Sequence, residues 1–171
     1  MGKSKLKTCC FTGHRPKKLP WGSDEGDIRC VALKSKIKSV AEDLIVAQGY
    51  DRFISGMAQG ADTICAEVAL SLKILYPHVQ LECAVPNCAF GKNWRKEKAR
   101  RFEEILKRAD LVTYVTDRKA YSIGDLMKRN AYMVDASDLV LALYIEGQGG
   151  GTKNTLDYAR RKNKEIIIIE P

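Results

Sequence analysis

The sequence predicts an α/β fold, a Rossmann-like three-layer α/β/α domain with a mainly parallel six-stranded sheet. Three observations carry that prediction. Short apolar segments alternate with helix-period segments along the chain, six strand-like and five helix-like. The run Leu139-Val140-Leu141-Ala142-Leu143-Tyr144-Ile145 is apolar at every position, the pattern of a strand buried on both faces near the centre of a parallel sheet. The connections are short, so successive strands join by right-handed crossovers that place helices on both faces. The 171 residues suffice for one domain, 1–171, with an ordinary core.

Thr8 to Thr12 forms the first strand, ended by Gly13-His14-Arg15-Pro16. After a polar connection, a helix runs from about Asp27 to Gln48, with Leu33, Ile37, Val40, Ala41 and Leu44 at helical spacing, and Gly49 stops it. Arg52 to Ser55 is the second strand. The turn Gly56 to Asp62 leads into a helix with Ala61, Ile64, Cys65, Val68, Ala69 and Leu72 on one face. Val79, Leu81, Cys83 and Val85 alternate with less apolar residues, as in a strand with one face less covered. Trp94 to Ala109 is a basic helix with Phe102, Ile105, Leu106 and Ala109 inward, and Leu111 to Val115 is the fourth strand. The helix Asp125 to Ser137 carries Leu126, Asn130, Met133, Val134 and Ser137 on one face. The run from Leu139 follows, then a helix whose apolar face includes Leu156 and Ala159 and whose first turn Thr152 or Asn154 would cap. Ile166 to Ile169, all β-branched, reads as a buried last strand.

Much of the net charge of +8 is dispersed, but Lys92, Arg95, Lys96, Lys98, Arg100, Arg101, Lys107 and Arg108 make one helix strongly basic, and Arg160, Arg161, Lys162 and Lys164 make a second patch. Solvated helix faces are the favoured reading, and a surface for nucleic acid or an anionic ligand is the alternative. Six cysteines show no C-x-x-C pair and join only two histidines, so reduced thiols are expected and no metal site or cofactor. No apolar run approaches the ~18 residues of a membrane span. The basic start from Met1 has no long apolar segment behind it, and Leu6 stands where a myristoylation motif takes Ser or Thr. A cytoplasmic protein is expected.

In sheets of this kind ligands bind beyond the carboxyl ends of the strands, near a topological switch point. The unusual residues fall there: Thr12 to Arg15, Ser55 to Asp62, Pro86-Asn87, Thr116 to Arg118, and Gly149 to Thr152. Gly147, Gly149, Gly150 and Gly151 leave the backbone open to a bound group at a helix N-terminus, which is how a loop holds phosphate; a sterically required turn is the other reading. The guanidinium of Arg15 matches two phosphate or carboxylate oxygens. His14 binds ligand, transfers a proton or packs, and His78 is expected to be exposed. The segment Ser55-Gly56 to Gly60-Ala61-Asp62 has neither the Gly-Lys-Ser/Thr of a P-loop nor Gly-x-Gly-x-x-Gly spacing. Asp62 orients a ribose hydroxyl or serves as a first-turn carboxylate. Asn130, on the inward face, is expected to brace the glycine loop or touch ligand, with Arg129 at the cleft mouth; a satisfied core amide and a surface arginine are the other reading.

Four motifs in order, Thr12 to Pro16, Ser55 to Asp62, Arg129-Asn130-x-x-Met133-Val134-Asp135-x-Ser137-Asp138, and Gly150-Gly151-Thr152-x-Asn154-Thr155, resemble the YpsA/YoqJ-like (DUF1273) branch of the SLOG superfamily. The resemblance runs from Thr8 to about Ile169. The wider superfamily includes the Lonely-guy phosphoribohydrolases, the DprA/Smf DNA-processing proteins and domains that sense nucleotide-derived signals. The resemblance implies a sensor or regulatory protein with a pocket for a nucleotide-derived ligand, such as ADP-ribose or an NAD-derived molecule. Its pocket residues would be Thr12, Gly13, His14, Arg15, Ser55, Gly56, Gly60, Ala61, Asp62, Arg129, Asn130, Gly149, Gly150, Gly151 and Thr152, and the chain would form a homo-oligomer, a dimer. The rival is a hydrolase or transferase cleaving an N-glycosidic or phosphoribosyl bond, with His14, Asp62 or Asp135 as acid or base. A third reading, DprA-like nucleic-acid binding, rests on the basic helices. Lonely-guy enzymes carry Pro-Gly-Gly-x-Gly-Thr-x-x-Glu with an active-site glutamate. Here Lys153-Asn154-Thr155-Leu156 follow Thr152, the first acid is Asp157, and at 100° per residue it should face away from the pocket. Binding without efficient hydrolysis is therefore expected.

Overall fold

The structure, a computed structural model, describes residues 6–171. The segment 1–5, which carries most of the basic start, lies outside the described residues. Six strands form one parallel sheet: β1 (Thr8–Gly13), β2 (Arg52–Ser55), β3 (Gln80–Val85), β4 (Leu111–Tyr114), β5 (Leu139–Leu143) and β6 (Glu165–Ile169). Among the described residues five helices alternate with them, α1 (Ile28–Val46), α2 (Ala61–Leu75), α3 (Lys96–Arg108), α4 (Ile123–Asp135) and α5 (Gly151–Arg161), and a 3-10 turn spans Pro16–Lys18. The sheet order is β4-β3-β2-β1-β5-β6, all neighbours parallel. The chain steps from β1 to β4 in one direction and then crosses to the far side of β1 for β5. That reversal makes the gap between the loops after β1 and β5 the switch point.

Side chains alternate across the strands as their period of two requires. Cys9, Phe11, Phe53, Leu81, Leu139 and Leu141 face α1, α2 and α3, with Phe11 and Phe53 stacked at a centroid distance of 5.5 Å. Cys10, Ile54, Ala84, Val140 and Ala142 face α4 and α5. Both layers bury apolar surface at about 25 cal/mol per Å², so a strand such as β5, buried at all five positions, contributes to both cores. β5 is shorter than its apolar run and lies one strand from the edge, between β1 and β6.

Several elements depart from expectation for identifiable reasons. β3 is covered on both faces from Leu81 to Val85, not on one. Glu82 is fully buried there because the hydroxyls of Tyr132 and Thr113 donate to its Oε1 at 2.5 and 2.8 Å and Arg52 stands 3.6 Å from Oε2. β6 is an edge strand with Ile168 48% exposed, so its isoleucines express β-propensity rather than burial. Neither Thr152 nor Asn154 caps α5: its cap is Gly150 at φ +107°, and no side chain bonds the first-turn amides. All six cysteines are free, five of them buried and Cys88 exposed. His78 is exposed, as expected. No helix among the described residues is long and apolar enough to cross a membrane.

Candidate functional site

A cavity of about 450 Å³ opens at the switch point. The loop after β1 supplies Thr12 to Arg15, Lys17 and Lys18; the turn before α2 supplies Ala58 and Asp62; α4 supplies Ile123, Leu126, Met127, Arg129 and Asn130; the loop after β5 supplies Gly149, Gly151, Thr152 and Asn154.

The glycines of this region divide by what a side chain would meet. At Gly13 a Cβ would collide with Ala61 and lie 2.9 Å from the Leu143 Cβ, so its absence lets α2 and β5 close on β1. At Gly60 (φ +92°) it would come within 2.8 Å of the His14 carbonyl oxygen, where the Ala61 N–H donates at 3.2 Å. At Gly56 it would strike the Arg129 guanidinium. The protein fills those three positions itself. At Gly149 and Gly151 a Cβ meets nothing within 4 Å, and neither residue has a left-handed φ. Neither packing nor backbone geometry requires glycine there, and the uncapped N–H groups of Gly151, Thr152 and Lys153 begin a helix beside that open space.

Arg129 is 4% exposed and donates through Nη1 to the Gly56 carbonyl and through Nε to the Asn130 side-chain oxygen at 2.8 Å. The expected orientation is thus reversed. Arg129 is the buried residue and Asn130 the half-buried one, because the buried stripe of α4 runs Asp125, Arg129, Met133. The nearest carboxylate, Asp62, stands 3.9 Å from Arg129 and accepts the Ala58 N–H at 3.2 Å. Burial pushes the Asp62 carboxyl above the usual range against the opposing pull of Arg129, and burial also lowers the guanidinium. Arg15 and Lys17, both exposed, form no ion pair among the described residues, although Arg15 is close enough to Asp62 to favour its charged form, and Lys18 donates to the Gly149 carbonyl. Ile123 and Met127, 67% and 61% exposed, line the same cavity. The cavity thus joins a basic, N–H-rich wall to an apolar one.

His14 is 2% exposed; its Nε2 accepts the Ile145 N–H at 3.1 Å and its ring lies 5.3 Å from that of Tyr144. Burial and the Lys18 cation hold its pKa below the ordinary value of 6.5.

The YpsA family model, described as the YspA SLOG family, matches residues 9–170. The chain belongs to this SLOG family. Its relatives include a UPF0398 protein of Bacillus cereus (strain B4264), 28% identical over 162 residues that cover 93% of this chain and 85% of the relative. The SPbeta prophage-derived protein YoqJ of Bacillus subtilis (strain 168) is 31% identical over 139 residues, 75% of this chain and 81% of YoqJ. Among solved structures, DNA processing protein A from Helicobacter pylori, described for its single-stranded DNA binding mode, is similar at a TM-score of 0.68 and 18% identity. DprA from Streptococcus pneumoniae is similar at 0.67 and 15%. Both likenesses cover 98% of the SLOG chain, but only 66% and 51% of those longer proteins, and at such identity they show the fold.

Of the positions singled out in the sequence, Thr12, Gly13, His14, Arg15, Asp62, Arg129, Asn130, Gly149, Gly151 and Thr152 line the SLOG cavity. Ser55, Gly56, Gly60, Ala61 and Gly150 do not; they shape it. The Ser55 hydroxyl donates to the Asp62 carbonyl at 2.8 Å and accepts the Met57 N–H at 3.1 Å, holding a turn in which Met57 has a φ of +59°. Asp135 ends α4 at the opposite edge of the sheet, bonded to Tyr158 and Lys162, and is removed from the acid–base candidates. Asp157 pairs with Lys153 and Arg160; it does not line this cavity but lines an adjoining one of about 510 Å³ that shares Met127, Asn130, Gly151 and Asn154 with it. Sequence reasoning missed Lys17, Lys18, Ile123 and Met127. The lysines directly follow the Gly-His-Arg-Pro turn, and Ile123 and Met127 are an apolar i, i+4 pair on the outer side of α4, which was the available signal.

Proposed function

We propose that this protein binds a nucleotide or nucleotide-derived molecule, of the ADP-ribose or NAD-derived kind, in the switch-point cavity and acts as a sensor or regulatory protein. The observation that carries the reading is the open space at Gly149 and Gly151 beside an uncapped helix start. Free N–H groups and a helix dipole favour phosphate at that place. Arg15 and Lys17 add positive charge and form no ion pair among the described residues, and Ile123 with Met127 offers an apolar wall for a base or ribose. The test is calorimetric titration with AMP, GMP, ADP-ribose and NAD against the matching nucleosides. Binding is expected for the phosphorylated compounds and not for adenosine or guanosine; binding of none of them overturns the reading.

A second reading, hydrolysis of an N-glycosidic bond, is favoured by one observation: Asp62 is a buried carboxyl, pushed up by burial, on the cavity wall. Chromatography of the incubated mixtures separates the two. Multiple-turnover release of free base that disappears in Asp62→Asn establishes the enzyme. The basic face of α3 is not needed for either reading, since Arg101 is bound by Glu25 and Glu67 and Arg100 by Glu104.

A further inference from the structure

We infer that His14 is a specificity-determining residue of this cavity: the Ile145 amide locks its ring in the Nδ1–H tautomer, so that it offers the ligand a single neutral hydrogen-bond donor. The inference rests on the nucleotide-binding reading and names which atom reads the ligand. A backbone N–H only donates, so the ring atom that receives the Ile145 N–H at 3.1 Å must carry a lone pair. A neutral imidazole with its lone pair on Nε2 has its proton on Nδ1. Protonation of both nitrogens is opposed by burial and by the neighbouring cation of Lys18. Among the described residues the Nδ1 atom makes no hydrogen bond and is not one of the sealed, unpartnered polar atoms, and His14 lines the cavity. A side chain this buried with one free donor at a cavity wall is complete only when an acceptor enters.

The acceptor that fits is an oxygen of the phosphate or ribose of a nucleotide. The His14 backbone N–H also donates to the Leu143 carbonyl at 3.2 Å, so the same residue bonds the end of β5 through its backbone and Ile145, at the start of the following loop, through its ring. The ring is therefore anchored at the mouth of the loop whose Gly149 and Gly151 line the same cavity. A ligand presenting a donor at this point leaves two donors facing each other and is rejected. The locked tautomer has a second consequence. With Nε2 committed to Ile145 and Nδ1 protonated, the ring has no free lone pair and cannot take a proton from water or substrate, so Asp62 is left as the acid–base candidate in the cavity.

The chain has two histidines, which makes the tautomer directly readable. In a two-bond 1H–15N correlation of histidine-labelled protein, with His78→Gln used for assignment, His14 should show a protonated Nδ1 and a bare Nε2. A proton on Nε2 overturns the inference without any ligand. Calorimetry with ADP-ribose and AMP then compares wild type with His14→Gln, whose amide oxygen can accept the Ile145 N–H but which lacks the Nδ1 donor. About tenfold weaker binding is expected at nearly unchanged melting temperature. Equal affinity overturns the role of His14 while leaving the nucleotide reading intact; failure of wild type to bind either compound overturns both. Should His14→Gln not fold, the wild-type Nδ1 resonance decides, since it should shift on adding ADP-ribose, and an unmoved resonance in a saturated complex refutes the contact.

Discussion

Replacing Gly151 by aspartate should move stability and binding in opposite directions. Gly151 is the first residue of α5, has no left-handed φ, and a Cβ on it meets no atom within 4 Å. Removing the backbone freedom of glycine stabilises a helix by about 0.5–1 kcal/mol. A carboxylate in the first turn adds about 0.3–1 kcal/mol through the helix dipole. Gly151→Asp should therefore melt higher, by about 2–4 °C per kcal/mol for a chain of this size. A phosphate at the same helix start would then face a unit negative charge. At ~4 Å the repulsion is about 1 kcal/mol in water and about 4 kcal/mol at the effective dielectric of a protein surface. Gly151 is exposed but lines the cavity, so an intermediate value of about 2–3 kcal/mol applies, roughly 30- to 150-fold in Kd. Gly151→Asn separates charge from bulk and should lose much less. The measurements are calorimetric titration with ADP-ribose and thermal melting of the three proteins. A Gly151→Asp protein that melts higher and binds as tightly as wild type would show that the glycine loop is only a turn.

Gly13→Ala should destabilise, because its methyl would collide with Ala61 and press on Leu143; overpacking of this kind costs about 1–3 kcal/mol, read as a lower urea midpoint at unchanged slope. Arg129→Met removes the cation that faces buried Asp62 and should cost about 3–5 kcal/mol, whereas adding Asp62→Asn should recover part of it; additive losses in a double-mutant cycle would mean that the two charges are not coupled. The depressed pKa of His14 gives stability a pH dependence of definite sign. Below the unfolded-state value of about 6.5 the unfolded chain binds the proton and the folded one does not, so the contribution is full above that pH and is lost as pH falls through the folded value. His14→Gln should flatten that limb of the stability profile, and an identical profile would refute the assignment.

The alternation of elements, the burial of β5 and the positions of the strand-end loops were legible because they depend on period and composition. The departures at β3 and α4 share one cause, burial of charge. The sequence pattern of β3 sets Gln80 and Glu82 opposite Leu81 and Cys83, which reads as a half-exposed strand. Glu82 is nevertheless fully buried because Tyr132 and Thr113, 50 and 31 residues away in the chain, supply its hydrogen bonds. The same holds for α4. Its buried stripe contains Asp125 and Arg129, residues that a sequence reading turns outward. Asp125 is accepted inside because the Asn87 amide donates to it at 2.7 Å, and Arg129 because Gly56 leaves room for the guanidinium and offers its carbonyl. Partners distant in sequence decide both cases, and a one-residue change in which side chain faces inward rotates the helix reading by 100°.

The glycines carry the same lesson one step further toward function. In the sequence Gly13, Gly56, Gly60, Gly149 and Gly151 are equivalent candidates for close approach of a ligand. The structure separates them by asking what already stands where a side chain would be. Ala61 and Leu143 occupy the place at Gly13, Arg129 at Gly56, and the His14 carbonyl with Pro16 at Gly60. Those glycines are explained by the fold, and substituting them tests stability. Nothing occupies the place at Gly149 or Gly151, where stability alone would favour a residue with a side chain. A helix start without a cap and two glycines without a packing reason are the features that the proposed reading accounts for with a phosphate, whereas the buried Arg129 already faces Asp62 at 3.9 Å and serves the fold.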